Sequence, residues 1–285
     1  MFKKIKIYFY LAIFFYFLSA CPVKAFTISP LKYSATLGGG DNQDFIVSVE
    51  NNSNIRKQFI PTIIGLIQDD RGHPLFEKNI DIAENWVKVN PASVELDPGK
   101  KTEFVFNIYV PKNTPPGAHY LGLGVEEKNG DNIGANLATI VSFQVAGLAN
   151  ESLRVDNFYP SQKYFFNDGF NYFLQIKNTG NVDLPVSGLL NIVSFDNKNI
   201  FSQSLNIGSK LFSGSNRSVD IHLSKNKVFF PGYYKAMVRL NYGLTNQEAV
   251  SVVNFWYFPI WFCVGILFVV FVIFLYLKKR HEVAR

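Results

Sequence analysis

Short runs of alternating apolar and polar residues fill the chain between residues 26 and 255. In Phe104–Tyr109 every second residue is a large apolar one, and Phe45–Val49 shows a similar alternation. A period of two residues places one set of side chains on the buried face of a sheet and the other set on its exposed face. No stretch of this region keeps the 3.6-residue period of an amphipathic helix. The region is therefore predicted to be all-β.

Turn residues separate these strands at intervals of roughly ten residues, a spacing typical of β-sandwiches. The clearest turns are Asp97-Pro98-Gly99-Lys100 and Asn178-Thr179-Gly180-Asn181. Proline fixes φ, glycine allows a positive φ and asparagine tolerates the left-handed conformation. The pattern occurs twice and stops briefly at 147–152. We therefore predict two tandem Ig-like antiparallel β-sandwiches, domain 1 at 26–147 and domain 2 at 148–255.

An uncharged apolar stretch follows domain 2 at 256–277. At 1.5 Å per residue a helix of this length reaches about 33 Å, enough to cross the hydrocarbon core of a bilayer. Aromatic residues near the start of the stretch and basic residues after it are typical of a membrane anchor with a cytoplasmic tail, 278–285. The predicted anchor residues are Trp256, Tyr257, Trp261, Lys278, Lys279 and Arg280.

Residues 1–25 have the pattern of a secretory signal peptide, with a basic start and an apolar run of about a dozen residues. Two processing routes are open. Val23-Lys24-Ala25 fits a cleavage site, whereas Leu18-Ser19-Ala20-Cys21 resembles a lipobox in which Cys21 is lipidated. We expect cleavage after Ala25, because the chain has a second anchor. Both end segments predict the same topology, with 26–255 outside the cytoplasm and the C-terminus inside.

The formal net charge of +6 belongs to the two ends of the chain. Residues 26–255 hold 20 Lys and Arg against 21 Asp and Glu, so this region lacks the basic footprint of a nucleic-acid-binding protein. The two cysteines, Cys21 and Cys263, lie in the signal peptide and the apolar stretch. The exported region can therefore use no disulfide and no cysteine nucleophile or metal ligand.

Several turn and strand motifs resemble those of the bacterial WxL-interacting surface proteins. They are Ile28-Ser29-Pro30, Val94-Glu95-Leu96-Asp97-Pro98-Gly99, Tyr109-Val110-Pro111, Thr114-Pro115-Pro116-Gly117 and Leu174-Gln175-Ile176-Lys177-Asn178-Thr179-Gly180-Asn181. The resemblance implies that domain 1 binds a peptidoglycan-type polymer and that domain 2 binds a surface protein. The motifs are turn and core positions, so they assign no individual binding residue.

No spacing of residues in the exported region predicts catalysis. His73, in a turn with Asp69 and Asp70, is interpreted as a solvated turn rather than a cation site, and His119 and His222 stand alone. We expect no enzymatic activity, no cofactor and no metal site. The candidate partner-binding residues are aromatic: Phe165, Phe166, Phe229 and Phe230. Such residues form interaction hot spots, and they also fill cores or rest against a membrane.

Two functional hypotheses follow. In the first, the protein is a membrane-anchored surface adaptor that recruits a surface protein or a cell-wall polymer. In the second, it is an envelope chaperone or secretion accessory that binds strands of a client transiently. An exposed edge strand is the feature to look for, because an extended peptide binds by adding a strand to such an edge.

Overall fold

The computed structural model describes residues 26–129, 132–166, 169–223 and 230–283. The predicted signal peptide, including Cys21, lies outside these residues, and so do Phe229 and the last two residues of the basic tail. Cleavage after Ala25 and lipidation of Cys21 both remain predictions.

Domain 1 consists of two facing sheets. The first has the strand order β1 (Thr27–Ser29), β3 (Asn42–Glu50), β8 (Lys101–Tyr109) and β6 (Val87–Asn90). The second has the order β2 (Lys32–Leu37), β10 (Asn132–Val145), β9 (Gly117–Asn129), β4 (Lys57–Gln68) and β5 (Pro74–Glu77), and β7 (Val94–Leu96) also pairs with β4. A 3₁₀ helix, Ile82–Trp86, connects β5 to β6.

Domain 2 repeats this arrangement with fewer strands. One sheet has the order β11 (Leu153–Pro160), β13 (Phe170–Asn178) and β16 (Asn216–Leu223). The facing sheet has the order β12 (Tyr164–Phe165), β18 (Gln247–Tyr257), β17 (Gly232–Tyr242), β14 (Val186–Ser194) and β15 (Asn199–Leu205). Pairing is antiparallel except for β2 with β10 and β12 with β18, which are parallel.

Each domain has its own hydrophobic core. The alternation in β8 fills the first, where Phe104, Phe106 and Ile108 are fully buried, and the same pattern in β13 brings Leu174 and Ile176 into the second. Neither core contains a cysteine, so close packing of apolar side chains stabilises both domains. These features confirm the predicted fold class of two tandem β-sandwiches followed by one apolar helix.

The helix begins later than the sequence predicted. Helix α1 spans Ile260–Val283, and its part from Ile260 to Arg280 is long and apolar enough to cross a membrane. Trp256 and Tyr257 instead end β18, where they pair with Tyr164 and Phe165 of β12. Pro259 marks the change, because it cannot donate to a sheet and its fixed φ suits the residue that precedes a helix.

Candidate strand-binding edge and interdomain cleft

Strand β10 is paired along its whole length on one side only. Its antiparallel partner β9 accompanies it from Asn132 to Val145. On the other side β2 pairs only with Ile140–Val145, and the amide of Ile140 donates to the carbonyl of Leu31 at 3.0 Å. No other described strand pairs with β10 before Ile140. The first half of β10 is therefore an open sheet edge.

The hydrogen bond of the Ile140 amide shows which backbone amides of β10 point away from β9. Its amide points away from β9, and backbone groups alternate along a strand, so the amides of Ala138 and Asn136 point the same way, out of the sheet. Leu137, between them, has a side chain with an exposed fraction of 38%. The edge therefore offers backbone donors and acceptors together with one exposed apolar side chain.

A β-bulge sets the limit of the regular part of this edge. The register between β9 and β10 shifts between Ile133 and Asn136, where two residues of β10 oppose the single residue Glu127 of β9. Bulges bend a strand and increase its twist. Toward the junction of the two domains, Thr139 is buried and its hydroxyl donates to the carbonyl of Pro30 at 2.7 Å. Regular pairing of an added strand is thus confined to the short segment Asn136–Ala138.

The covered end of this edge opens into a cleft of about 390 Å³ between the domains. Its lining residues come from both domains: Lys32, Leu66, Gln68, Gly72, Pro74, Ile140 and Ser142 from domain 1, and Asp183, Ser209, Lys210 and Phe212 from domain 2. Ile140 is also the first residue of β10 that β2 covers. The open edge and the cleft are therefore continuous.

Two lysines and one carboxylate determine the charge of the cleft. Burial raises the pKa of the Asp183 carboxyl, and the hydrogen bond from Tyr120 and the charges of Lys210 and Lys32 offset only part of that shift. Both lysines are exposed, so they remain accessible to a ligand. With two cations against one partly buried acid, the cleft favours an anionic group.

Hydrogen bonds and a ring stack between the two domains connect the walls of the cleft. The rings of Tyr120 and Phe212 stack with centroids 4.1 Å apart, and the amide of Ser213 donates to the Tyr120 hydroxyl at 2.9 Å. Gln68 donates to the carbonyl of Lys210 and accepts from the amide of Phe212. The walls of the cleft are thus fixed by hydrogen bonds from both domains.

A buried arginine completes this junction. Arg217, in β16, has an exposed fraction of only 2%. Its guanidinium donates to the carbonyl of Ile207 at 2.5 Å and to Gln68 Oε1 at 3.4 Å. Next to it, the amide of Ser218 donates to the carbonyl of Asp70 at 2.7 Å. Leaving a buried guanidinium without hydrogen-bond partners costs free energy, so these contacts oppose separation of the domains.

The aromatic residues predicted to bind a partner fall into different environments. Phe165 is 3% exposed and packs against Phe170 and Phe255, so it is a core residue and is not available to a partner in the folded protein. Phe166 and Phe230 are exposed by 49% and 76%. These two lie at the end of domain 2 from which α1 emerges, far from the open edge, and their role in binding stays a prediction.

The predicted anchor residues lie partly in β18 and partly in α1. Tyr257 is buried, Trp256 lies on the surface of β18, and Trp261 and the basic residues Lys278–Arg280 belong to α1. Within the described chain the apolar part of α1 has no buried portion, as expected of a helix whose partner is not the protein itself.

Two of the described histidines pair with aspartates. Asp69 Oδ2 lies 3.0 Å from His73 Nδ1 in the exposed β4–β5 turn. Asp81 Oδ1 lies 2.8 Å from His119 Nδ1. His119 and Ser213 line a second pocket, and the Ser213 hydroxyl donates to the carbonyl of Gly180 at 2.7 Å. No group of three or more His, Cys, Asp or Glu side chains in the described residues could hold a metal ion.

The open edge and the lysines of the cleft were missed by the sequence analysis. The hydrophobic pattern of the sequence predicts a strand at Leu137–Val145, which begins five residues after the start of β10. The dipeptide Asn129-Gly130 is a strong hairpin signal that could have extended the strand to its full length. Nothing in the sequence could bring Lys32 and Lys210 together, because they lie in different domains.

No protein-family model matches the chain, and no curated protein matches it. Solved structures that match include a chaperone–tip adhesin complex of CFA/I fimbriae, 16% identical over 80% of this chain and 97% of that chain, with a TM-score of 0.43. The class 5 fimbriae chaperone CfaA is 15% identical over 81% of this chain and 98% of its own, with a TM-score of 0.41.

The E. coli chaperone DraB also matches, with 10% identity over 82% of this chain and 97% of its own, and a TM-score of 0.36. The descriptions of these proteins correspond to the second functional hypothesis, a chaperone-like module, rather than to the first. At such low identities and TM-scores the similarity shows the fold and carries no argument about what this chain binds.

Proposed function

We propose that this protein is a membrane-anchored binding module that takes up an extended segment of another protein as an added strand. The open edge of β10 is the observation that carries the proposal. The outward amides and carbonyls of Asn136 and Ala138 would pair with the backbone of the segment, and Leu137 would contact its alternate side chains. A polymer of sugars lacks the regular amide spacing that such an edge requires.

The cleft supports a direction for the bound segment. A strand added before Ile140 would have one end next to the cleft, which Lys32 and Lys210 line. A free C-terminal carboxylate is the anionic group that every extended chain carries, and lysine donates to it through a charge-assisted hydrogen bond. The segment would thus be held along its backbone by β10 and at its end by the lysines.

Helix α1 would hold this module at a membrane. Its uncharged residues end at Leu277 and are followed by Lys278, Lys279 and Arg280, which favour a cytoplasmic C-terminus, with residues 26–255 on the other side. Protease added to spheroplasts should then remove the two domains and leave a tag on the C-terminus protected. Digestion of the tag from outside would contradict this topology.

This function is the second of the two hypotheses, and it requires no chemistry at the site. Membership of the WxL-interacting family, and the adaptor role that it implies, stay predictions. They differ from the present proposal in the place of binding, because they assign the protein partner to domain 2. A test must therefore separate the edge of β10 from the surface of domain 2.

Ala138→Pro tests the edge directly. The substitution removes one outward amide and adds a ring at the edge, while the residues that pair inward with β9 keep their amides. Ala138→Ser is the matched control, since it changes the side chain and retains the amide. The measurement is fluorescence anisotropy of a labelled synthetic peptide of alternating Thr and Val, titrated with the full chain in detergent.

We expect the peptide to bind to the wild type and to Ala138→Ser, and to lose most of its affinity for Ala138→Pro. Circular dichroism and urea denaturation of the three proteins check that the fold is retained. Equal affinity of wild type and Ala138→Pro would contradict the proposed site, and loss of binding on substitution of Phe166 and Phe230 would favour the domain 2 hypothesis instead.

A further inference from the structure

We propose that the end of domain 2 next to α1 is a membrane-docking face whose exposed aromatic side chains lie in the interfacial layer of the bilayer that α1 crosses. The face is defined by Tyr164, Phe166, Phe195, Phe230 and Trp256. The inference rests on the proposed membrane anchoring by α1, but it is independent of strand binding by β10.

The strand registers bring these residues to one end of the domain. Gly232 pairs with Tyr257, and Ser194 pairs with Tyr234, so the β14–β15 turn and the start of β17 lie beside the end of β18. In the facing sheet Phe170 starts β13, and its ring lies 5.3 Å from that of Tyr257. Loops from both sheets therefore meet where the chain enters α1.

The aromatic side chains of this face are open to solvent within the protein. Phe195 and Phe230 are exposed by 77% and 76%, and Tyr164 and Phe166 by 47% and 49%. Lys163, Asp196 and Lys198 stand among them and are exposed as well. Aromatic rings with charged neighbours are the composition that proteins place at the level of lipid headgroups.

The opposite end of domain 2 differs in composition. Its exposed large apolar residues, among those that the structure describes, are Leu148 and Leu244, and neither is aromatic. The aromatic side chains are thus exposed at the end that faces the helix. Continuity with a membrane-spanning helix gives a physical reason for this position.

The joint between domain and helix is too short for the face to avoid the bilayer. Strand β18 ends at Tyr257 and α1 begins at Ile260, so only Phe258 and Pro259 connect them. Two residues span at most about 7 Å. The amide of Phe258 also donates to the carbonyl of Phe165 at 2.8 Å, which ties the joint to domain 2.

Ring contacts continue from the domain into the joint. Trp256 stacks on Phe258 with centroids 5.7 Å apart, and Phe166 lies 6.4 Å from Phe258. The helix then starts with the amide of Phe262 donating to the carbonyl of Pro259 at 2.9 Å. Ring packing thus ties the joint to the end of domain 2 that carries the docking face.

The test uses the full chain in phosphatidylcholine vesicles, with the environment-sensitive fluorophore NBD on single cysteines. The docking reporters are Phe230→Cys and Phe195→Cys, and the control is Leu244→Cys, which is 88% exposed at the other end of the domain. These variants carry Cys21→Ser and Cys263→Ser. A fourth sample, with Cys21→Ser alone, places the label on native Cys263 inside α1.

Quenching by lipids that carry a doxyl group near the headgroup is measured for each reporter. We expect labels at 263, 230 and 195 to be quenched, the last two with a blue-shifted emission, and the label at 244 to remain unquenched. If 263 is quenched and either 230 or 195 behaves like 244, the docking face is wrong and the anchor stands. If 263 itself is not quenched, the proposed anchoring fails, and the docking face fails with it.

Discussion

The last strand of domain 1 and the last strand of domain 2 leave their sheets in different ways. In domain 1 the first half of β10 has an unpaired edge beside the cleft. In domain 2 the unpaired part of β18 passes close to β11, and its end pairs with β12 before the chain enters α1. Glu151 further ties the β17–β18 turn to the start of the domain by accepting from the amide of Leu244.

Both domains nevertheless contain a buried asparagine at the end of a central strand, and its side chain bonds to nearby backbone groups. Asn51 directly follows β3 and Asn178 ends β13, and both are buried. Asn51 donates through its side-chain amide to the carbonyls of Ile55 and Leu96, and its oxygen accepts from the amide of Ser53. Asn178 likewise donates to two carbonyls, those of Val182 and Leu211, and accepts from the amide of Gly180.

The two domains thus share the buried asparagine and differ in how their last strand is covered. A buried asparagine that satisfies backbone groups belongs to the common architecture. The treatment of the edge strand differs, because an uncovered edge invites pairing with another chain and is normally protected. Domain 1 leaves the first half of β10 uncovered beside the cleft, whereas in domain 2 the uncovered part of β18, Gln247–Phe255, lies close to β11 and leads into α1.

The largest effect should come from two neighbouring phenylalanines of domain 2. Phe165→Ala should lower the free energy of unfolding of this domain by about 3–5 kcal/mol, because it leaves a cavity among Phe170, Tyr172 and Phe255. Phe166→Ala should change it by less than about 0.5 kcal/mol, as expected for a surface position. Urea denaturation of both variants measures the difference, and equal losses would contradict the register of β12.

The shared asparagines should produce the next largest effect. Asn51→Ala and Asn178→Ala each remove a buried side-chain amide that donates to two backbone carbonyls, so each should destabilise its own domain by about 1–3 kcal/mol. Hydrogen exchange followed by mass spectrometry reports the two domains separately. A loss confined to one variant would show that the two motifs are not energetically equivalent.

Two aspartates should respond to pH in opposite directions. Burial raises the pKa of Asp81, but hydrogen bonds from His119, Ala83 and Tyr120 outweigh it, and the net pKa is lowered. Its stabilising contribution is present above the unfolded pKa and is lost as the pH falls through the folded pKa. Asp81→Asn should therefore destabilise domain 1 at neutral pH, with a deficit that shrinks in acid.

For Asp183 burial is the larger influence, and the net pKa is raised. The group favours the folded state at low pH, and this contribution is lost as the pH rises through the folded pKa. Asp183→Asn should accordingly stabilise the protein at neutral pH, with a gain that disappears in acid. Thermal melts of both variants across the acidic range test the pair, and shifts of the same sign would refute the assignment.

The smallest effect concerns the lysines of the cleft. Lys32→Met and Lys210→Met should each weaken binding of a peptide with a free C-terminal carboxylate by about 0.2–1 kcal/mol, the range of solvent-exposed ion pairs. The same peptide with an amidated C-terminus serves as the control, and its affinity should be unchanged by either substitution. Equal weakening for both peptides would mean that the lysines do not hold a carboxylate.

Local pattern determined a large part of this structure. The period of two residues in Phe104–Tyr109 predicts a half-buried strand because the geometry of a strand alone turns successive side chains to opposite faces. The long uncharged stretch near the C-terminus predicts a helix suited to a membrane by its length and composition. Such properties depend on residues close together in the chain, and they required no knowledge of how the strands pair.

The candidate site depended on contacts between distant residues. Phe165 and Phe166 look alike in the sequence, and only the pairing of β12 with β18 places the first in the core and the second on the surface. The helix start moved to Ile260 for the same reason, since Trp256 and Tyr257 found strand partners. Adjacent side chains point in opposite directions in a strand, so register, which is non-local, decides which one is buried.

The open edge of β10 was likewise a result of tertiary structure alone. An edge exists where a neighbouring strand stops, and here it exists because β2 begins at Lys32 and covers β10 only from Ile140 onward. The sequence by itself determined that the chain forms strands, two sandwiches and one apolar helix. Strand pairing within domain 1 decided how much of β10 stays uncovered, and the packing of the two domains brought Lys32 and Lys210 together. Both depend on contacts between residues that the chain keeps far apart.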